Sequence, residues 1–201
     1  MNTCKHWLKP ITLEGNHVRL EPLSQEHTEA LGQAACDGEL WKLWYTSVPT
    51  PEQTGEYIEK ALESQQRGES FAFVVRHLAS NEIVGSTRYY DIVPHNKRLA
   101  IGYTWYAQRV QRSAVNTECK LLLLGHAFET LQCIAVEFHT HWHNHTSRQA
   151  IARLGAKQDG VLRQHMIMPD GSLRDTVVFS ILDSEWPAVR RNLTAKLERH
   201  C

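Results

Sequence analysis

Three short stretches of this chain hold side chains whose type and spacing suit chemistry. The first is AQRVQRSAVNTECK (Ala107–Lys120), ahead of the apolar run Leu121–Leu124. Gln111, Arg112 and Ser113 precede the small Ala114 and Val115, and Asn116 and Thr117 stand at the expected start of a helix. A strand-to-helix turn of this kind aims backbone N–H groups outward, and the helix dipole adds positive potential there. Arg109 and Arg112 add full charges. The guest such a turn suits is a phosphate or pyrophosphate. The plainer alternative, an N-capped helix beside solvated arginines, stays open, because neither GxGxxG nor GxxxxGKS is present.

The second stretch is NHTSRQAIARLGA (Asn144–Ala156). Asn144 can cap the helix that it opens, and Ser147, three residues on, can face the same side. Ala150, Ile151 and Leu154 form its buried stripe, and Gly155 ends it. Capping alone would also account for Asn144 and Ser147. The third stretch is HTHWHNH (His139–His145), where His139, His141 and His143 share one strand face. Alternate strand positions lie about 6.5–7 Å apart, a strained basis for the three or four ligands of zinc, so no metal is expected. A half-exposed polar face is the commoner use. Trp41, Trp44 and Tyr45 form an aromatic cluster read either as core packing or as the wall of a substrate pocket.

The elements that must position these residues alternate along the chain. His17–Leu23 suits a strand, Ser24–Gly38 a short helix, and Thr50–Gly68 a longer one with Thr50 as N-cap, Pro51 as first helical residue and Gln53 completing a capping box. Phe71–Arg76, Glu82–Ile92 and Arg98–Tyr106 read as an antiparallel meander. A helix is expected from about Asn116 to Leu131, a strand over Cys133–His141 and a helix over Asn144–Gly155. Gly160–Met168 and Leu173–Leu182 close as a hairpin around Pro169–Ser172, and Ser184 caps a helical tail to Arg199. This order needs one parallel pairing, where a strand, a helix and the next strand form a βαβ unit. The prediction is an α+β (mixed α/β) fold in a single domain over 1–201, with a core at 11–182 and a helical tail at 183–201.

Composition narrows the function. The 22 Lys+Arg balance 22 Asp+Glu, which excludes a strongly basic nucleic-acid binder and an acidic tail protein. With 42% hydrophobic and 22% charged residues, disorder is excluded as the main state. Five widely spaced cysteines (Cys4, Cys36, Cys119, Cys133 and Cys201) and no CxxC argue against a disulfide framework or zinc ribbon, and Cys119 and Cys133 read as core fillers. MNTCKHWLKP lacks the apolar stretch of a signal peptide, and Leu121–Leu124 is far too short to span a bilayer. The expectation is a reduced, soluble, cytoplasmic protein.

Taken together, the loop and the Asn144 segment resemble the GNAT superfamily of acyl-CoA-dependent N-acyltransferases, over about Ile11 to Leu182. Gln111-Arg112-Ser113-Ala114-Val115-Asn116 falls where the family has its Q/R-x-x-G-x-G/A pyrophosphate loop. Asn144-x-x-Ser147-x-x-Ala150-Ile151-x-x-Leu154-Gly155 is similar to the N-x-x-S-x-x-A-I-x-x-L-G of the branch that acetylates ribosomal-protein N termini, and Ile101-Gly102-Tyr103 with Trp105 is similar to that branch's fourth strand. The resemblance implies a mostly antiparallel central sheet, helices on both faces and one parallel pair splayed around the cofactor. It places the pantetheine arm of acetyl-CoA in a V between the fourth and fifth strands, Ile101–Tyr106 and Ala135–His141, in contact with Tyr103, Thr104 and Trp105. It places the pyrophosphate on Gln111 through Thr117. Three departures stand out: Ala114 and Asn116 replace the loop's Gly and Gly/Ala, Ala100 replaces a frequent Glu base, and Ile151 replaces a frequent Tyr acid.

Acyl transfer to an amine needs an acceptor freed of a proton, a donor for the oxyanion and a proton for the leaving thiolate. The resemblance implies a backbone N–H of Tyr103 or Thr104 for the second and Ser147 for the third, with Asn144 holding the arm. His139 or His141, or a water chain, would serve as base, ahead of Asp91, His95 and Tyr90. Direct attack in a ternary complex is expected, since no Cys-His pairing is evident. The resulting expectation is an acetyl-CoA-dependent N-acetyltransferase acting on a protein N terminus or small-molecule amine, with no nucleic-acid or membrane partner. A homodimer is compatible with the sequence, which does not fix oligomeric state. The alternative is an acyl-CoA-binding or sensing module of the same fold that performs no transfer.

Overall fold

The computed structural model describes residues 7–200, the side chain of His200 excepted, so Cys4, Cys201 and most of the expected leader-free segment MNTCKHWLKP lie outside the described residues. Apolar alternation in VRLEP puts Val18 and Leu20 in the core from β2 (Val18–Pro22), which follows a two-residue β1 (Leu13–Glu14). The meander follows as β3 (Ser70–His77), β4 (Glu82–Val93) and β5 (Arg98–Tyr106). Then come β6 (Ala135–His141), β7 (Lys157–Ile167) and β8 (Leu173–Leu182). They form one eight-stranded sheet in the order β1-β2-β3-β4-β5-β6-β8-β7. All neighbours are antiparallel except β5 and β6, which run parallel, as the βαβ unit requires.

Helices cover both faces. On one side lie α1 (Thr28–Cys36) and α2 (Thr54–Gln66), against β4 and β3. On the other lie α3 (Ala114–Gly125), α4 (His145–Leu154) and α5 (Trp186–Leu197), packed on one another. The fully buried Tyr89 shows how α3 is pinned, donating from its hydroxyl to Leu123 O at 2.7 Å.

Several ends differ from expectation for local reasons. Thr50 caps a separate turn, its Oγ1 accepting from Gln53 N at 3.3 Å, and α2 proper begins at Thr54 rather than Pro51. Helix α3 begins at Ala114 rather than Asn116, because Ser113 is its N-cap. It ends at Gly125, where a π-type turn (His126–Thr130) takes over, with Leu131 N donating to His126 O at 3.0 Å. Ser184 lies inside a 3-10 turn (Asp183–Glu185) and does not cap α5 directly. The hairpin turn forms at Asp170, whose Oδ1 accepts from Ser172 N, with Gly171 at φ 82°.

One buried charge fixes the frame. Glu118 on α3 is 3% exposed and accepts N–H bonds from Asn16, His17 and Val18 at 2.8, 2.7 and 2.8 Å. These bonds replace the water that a buried carboxylate would lose. Cys119 and Cys133 are buried, as core fillers should be, and burial pushes each thiol up to about 12. No helix among the described residues is long and apolar enough to cross a membrane.

Candidate active site

The parallel pair is short. β5 and β6 meet at Arg98↔Ala135, Leu99↔Val136 and Ala100↔Glu137, and no pairing follows. Beyond that point β5 bulges: its register with β4 shifts between Ser86 and Arg88, and Tyr103 adopts φ 50°. A bulky residue in the left-handed region is strained, and such strain collects at functional sites. The bulge turns the strand away from β6 and leaves backbone groups from Ile101 onward facing a gap. Gly102 is required here, since a Cβ would lie 2.6 Å from Tyr90 Cε1. The expected splay between Ile101–Tyr106 and Ala135–His141 is therefore present.

Behind the bulge, on the α3 side, stands Lys120. Its Nζ donates to Thr104 Oγ1 at 2.8 Å, and Thr104 Oγ1 lies 2.8 Å from Thr87 Oγ1. Burial lowers the Lys120 ammonium to about 8.

The gap ends at the loop before α3. Ser113 Oγ donates to Val110 O at 2.6 Å and accepts from Val115 N at 3.3 Å. Gln111 folds back, its Nε2 donating to Tyr106 O at 3.0 Å. The left-handed position of the loop is Arg112 (φ 60°), so Ala114 needs no positive φ and starts the helix in ordinary geometry. Ala114, Val115 and Thr117 are buried and Asn116 half-buried in the first turn, whose backbone N–H groups have no intrahelical partner. Arg112 is exposed and forms no ion pair among the described residues. Arg109 does not add its charge to the loop as expected, because Asp37 at 2.8 Å and Glu82 at 3.1 Å hold it. Arg153 of α4 supplies a second cation that the sequence reading missed, its Nη2 donating to Thr117 Oγ1 at 3.3 Å. Only the packing of α4 beside α3 reveals it.

Asn144 is the N-cap of α4, its Oδ1 accepting from Ser147 N at 3.0 Å. The Ser147 hydroxyl is half-buried and has no protein partner among the described residues. Asn144 N in turn donates to His141 O at 2.9 Å, joining α4 to the end of β6.

The α1/α2 face of β4, β5, β6 and β8 gathers the remaining groups. His139 Nε2 lies 2.9 Å from Glu137 Oε2, and its Nδ1 lies 3.9 Å from Asp91 Oδ2. A carboxylate only accepts, so Nε2 carries a proton toward Glu137. Glu137 also takes Arg98, at 2.5 Å to Nη2 and 3.1 Å to Nε. Burial raises the Glu137 carboxyl, and the bonds from Arg98 and His139 outweigh it, leaving it below the usual range. Glu137 was not anticipated, yet it stands in register beside Ala100, where the family often has its Glu. Its place on an alternating strand was visible; its partner across a parallel ladder was not.

His141 differs. It is 3% exposed, and its Nδ1 accepts from His143 N at 3.0 Å. Its Nε2 therefore carries the proton and has no partner. Burial, with help from Arg174 and His143, lowers the imidazolium below the usual value. A ring held this way presents a donor at Nε2, while its Nδ1 lone pair is engaged by the His143 N–H. The aromatic cluster divides: Trp41 packs on the core, while Trp44 lies over His141 at 4.8 Å and Tyr45 at 6.2 Å. Trp44, His141, His143 and Arg163 line a cavity of about 250 Å³. His95 is exposed on the Pro94–Asn96 turn. A larger concavity of about 440 Å³ lies between α1 and the start of β4; Arg76 and Arg109 in its wall are already held by carboxylates, and none of His139, His141, Asn144 and Ser147 lines it. Among the described residues no group of three His, Cys, Asp or Glu converges as a metal would require.

A mostly antiparallel sheet parted at one parallel pair, with a cationic helix start at the mouth of the gap, defines the acyl-CoA-dependent acyltransferases. Residues 17–157 match the family model of the acetyltransferase (GNAT) domain, and the chain belongs to this family of N-acetyltransferases. It is similar to a GCN5-related N-acetyltransferase from Brucella melitensis, 32% identical over 94% of this chain and 86% of that one, with a TM-score of 0.84. Mycobacterium smegmatis RimJ in complex with CoA-disulfide shares the fold, with a TM-score of 0.78 at 20% identity over 93% and 95% of the two chains. The uncharacterized N-acetyltransferase YoaA of Bacillus subtilis (strain 168) is 20% identical over 171 residues, 85% of this chain and 96% of its own.

Proposed function

We propose that the protein transfers the acetyl group of acetyl-CoA to a primary amine, a protein N terminus or a small molecule, by direct attack in a ternary complex. The observation that carries this reading is the parting of β5 from β6 after Ala100 and Glu137, with the bulge at Tyr103 on one side and the start of α3 at its end. RimJ, a protein of the same fold, holds a CoA-disulfide. In this reading the whole chain is one catalytic unit, with a core at 11–182 and α5 in the tail at 183–201 bracing α3.

The backbone amides between Ile101 and Trp105 that point away from β4 pair with the amide-bearing pantetheine arm as an added strand would. The first-turn N–H groups of α3, with Gln111, Arg112 and Ser113 before them, take the pyrophosphate, and Arg112 and Arg153 neutralise its charge. His139 Nδ1 removes a proton from the acceptor ammonium, while Glu137 holds the ring and stabilises the imidazolium. The amine nitrogen then bonds to the thioester carbonyl carbon, and a Tyr103 or Thr104 N–H donates to the oxyanion. As the carbon–sulfur bond breaks, the attacking nitrogen gives up its second proton and the leaving thiolate takes one up, the Ser147 hydroxyl relaying it and ending as it began, while Asn144 keeps Ser147 at the helix start. His141 Nε2–H faces the same side as a second donor.

Thiol release from acetyl-CoA with a panel of amines and peptides tests the reading. Turnover with at least one amine is expected. Binding of CoA with no release for any amine would mark a sensor and overturn it.

A further inference from the structure

Most arginines on the sheet are held by carboxylates: Arg76 by Glu21 at 2.7 Å, Arg98 by Glu137, Arg163 by Asp175. Arg88, on the α1/α2 face of β4, is an exception. It is 7% exposed, forms no ion pair among the described residues, and its Nε has no acceptor. Its guanidinium lies 4.2 Å from the Tyr103 ring centre and 5.1 Å from that of Tyr57. Stacking on two rings offsets part of the cost of burial, but it supplies no acceptor for the N–H fork. The Tyr57 hydroxyl is also buried and unpartnered. Two unsatisfied donors thus converge next to Tyr103, the residue of the bulge.

A second guanidinium approaches the same ring from β8. Arg174 is half-buried, donates to Thr176 Oγ1 at 3.1 Å, forms no ion pair among the described residues, and lies within electrostatic reach of Tyr90 and Tyr103. Tyr90 links this group to the base: its ring is 5.3 Å from Tyr103 and 5.9 Å from His139. The carboxylates on this face are already committed. Glu137 takes Arg98 and His139, and Asp175 takes Arg163 at 2.6 Å and Gln164 N at 2.7 Å. Asp91, exposed, faces His139.

We propose that the acceptor amine carries a carboxylate, and that Arg88, with the Tyr57 hydroxyl and Arg174 beside Tyr103, binds it while the amine reaches His139. A buried fork without an acceptor costs free energy unless a ligand completes it, and a planar carboxylate is the match for its geometry. The proposal rests on the transferase reading and narrows it from any primary amine to an acidic one. The shared chemistry covers two sources, a free amino acid and a peptide with an acidic residue close behind its N terminus.

The test is thiol release from acetyl-CoA with matched pairs: amino acids against their amides, and peptides with Glu or Asp near the N terminus against the Gln or Asn forms. The expected result is a kcat/KM at least 10-fold higher for the acid in one series, which also identifies the source. Arg88→Gln is expected to reduce that acid-to-amide ratio at least 10-fold, and Arg174→Gln to reduce it less, with KM for acetyl-CoA unchanged in both. If amides turn over as well as acids in the wild-type protein, the proposal is overturned while the transferase reading stands. If no amine in any series turns over, the transferase reading itself falls. The wild-type ratio decides the matter even where Arg88→Gln does not fold, and a retained ratio in a folded Arg88→Gln assigns Arg88 a purely structural role.

Discussion

Replacing Lys120 by Met isolates the cost of a buried amine. The ammonium has lost its water and gained the Thr104 hydroxyl at 2.8 Å and the Thr87 hydroxyl at a marginal 3.5 Å, so its folded value drops from 10.5 to about 8. The unfolded chain therefore holds more protons than the folded chain between those two values. Unfolding free energy must rise with pH across that window and carries the full cost below it. A shift of this size corresponds to ~3 kcal/mol. Met keeps the length and apolar stem, and it forfeits one hydrogen bond worth ~1 kcal/mol. At pH 7 the variant should be more stable by ~2 kcal/mol, a rise in Tm of ~4–8 °C for a domain of this size. Denaturant unfolding followed by tryptophan fluorescence at pH 7, 8, 9 and 10 reads the difference directly. Cys133, pushed up by burial, contributes stability that fades as pH climbs past its unfolded value, equally in both proteins, whereas Cys119, which the Lys120 charge holds down, is pushed higher in the variant and closes the gap in the same direction. The gap between the two curves should shrink steadily from pH 8 to pH 10. Parallel curves would show that Lys120 stays protonated in the fold and refute the reasoning.

Three further outcomes bear on the transfer itself. Ser147→Ala should lower turnover about 10-fold or more while CoA affinity, read by calorimetry, hardly changes; unaltered turnover removes Ser147 from thiolate protonation. Arg112→Glu should weaken CoA binding about 10-fold, since a negative charge replaces an unpaired positive one at the loop, and an unchanged Kd would move the pyrophosphate elsewhere. Glu137→Gln should reduce kcat about 10–100-fold and leave KM for acetyl-CoA intact, because the amide no longer stabilises the imidazolium of His139; equal losses in both constants would mark Glu137 as a structural group.

Local signals carried much of the frame. RLAIGYTWY and LRDTVVFSIL begin and end as strands where their alternation and flanking turns place them, and Asn144 and Gly155 bound α4 as cap and stop. Features created by tertiary pairing were not visible in this way. Nothing in IGYTW announces that Tyr103 takes a left-handed conformation, since propensity argues against it. Glu137 reads as one polar position in an alternating strand until β5 is laid beside it. Arg109 and Arg112 look equivalent in the sequence, yet only Arg109 meets carboxylates from α1 and β4. Nothing in NTECKL marks Glu118 and Lys120 as buried charges, because their partners lie about 100 and 16 residues away in the chain.

The three rungs between β5 and β6 rivet two half-sheets, and together with the pairing of β6 to β8 they set which way every β6 side chain looks. A slide of one rung would present Val136 and Phe138 where Glu137 and His139 now stand, because strand side chains alternate. The same slide would lengthen or shorten the mouth into which the thioester enters. Proton abstraction and thioester seating are geared to a single joint, so this scaffold can be retuned by exchanging side chains around that joint but not by shifting it.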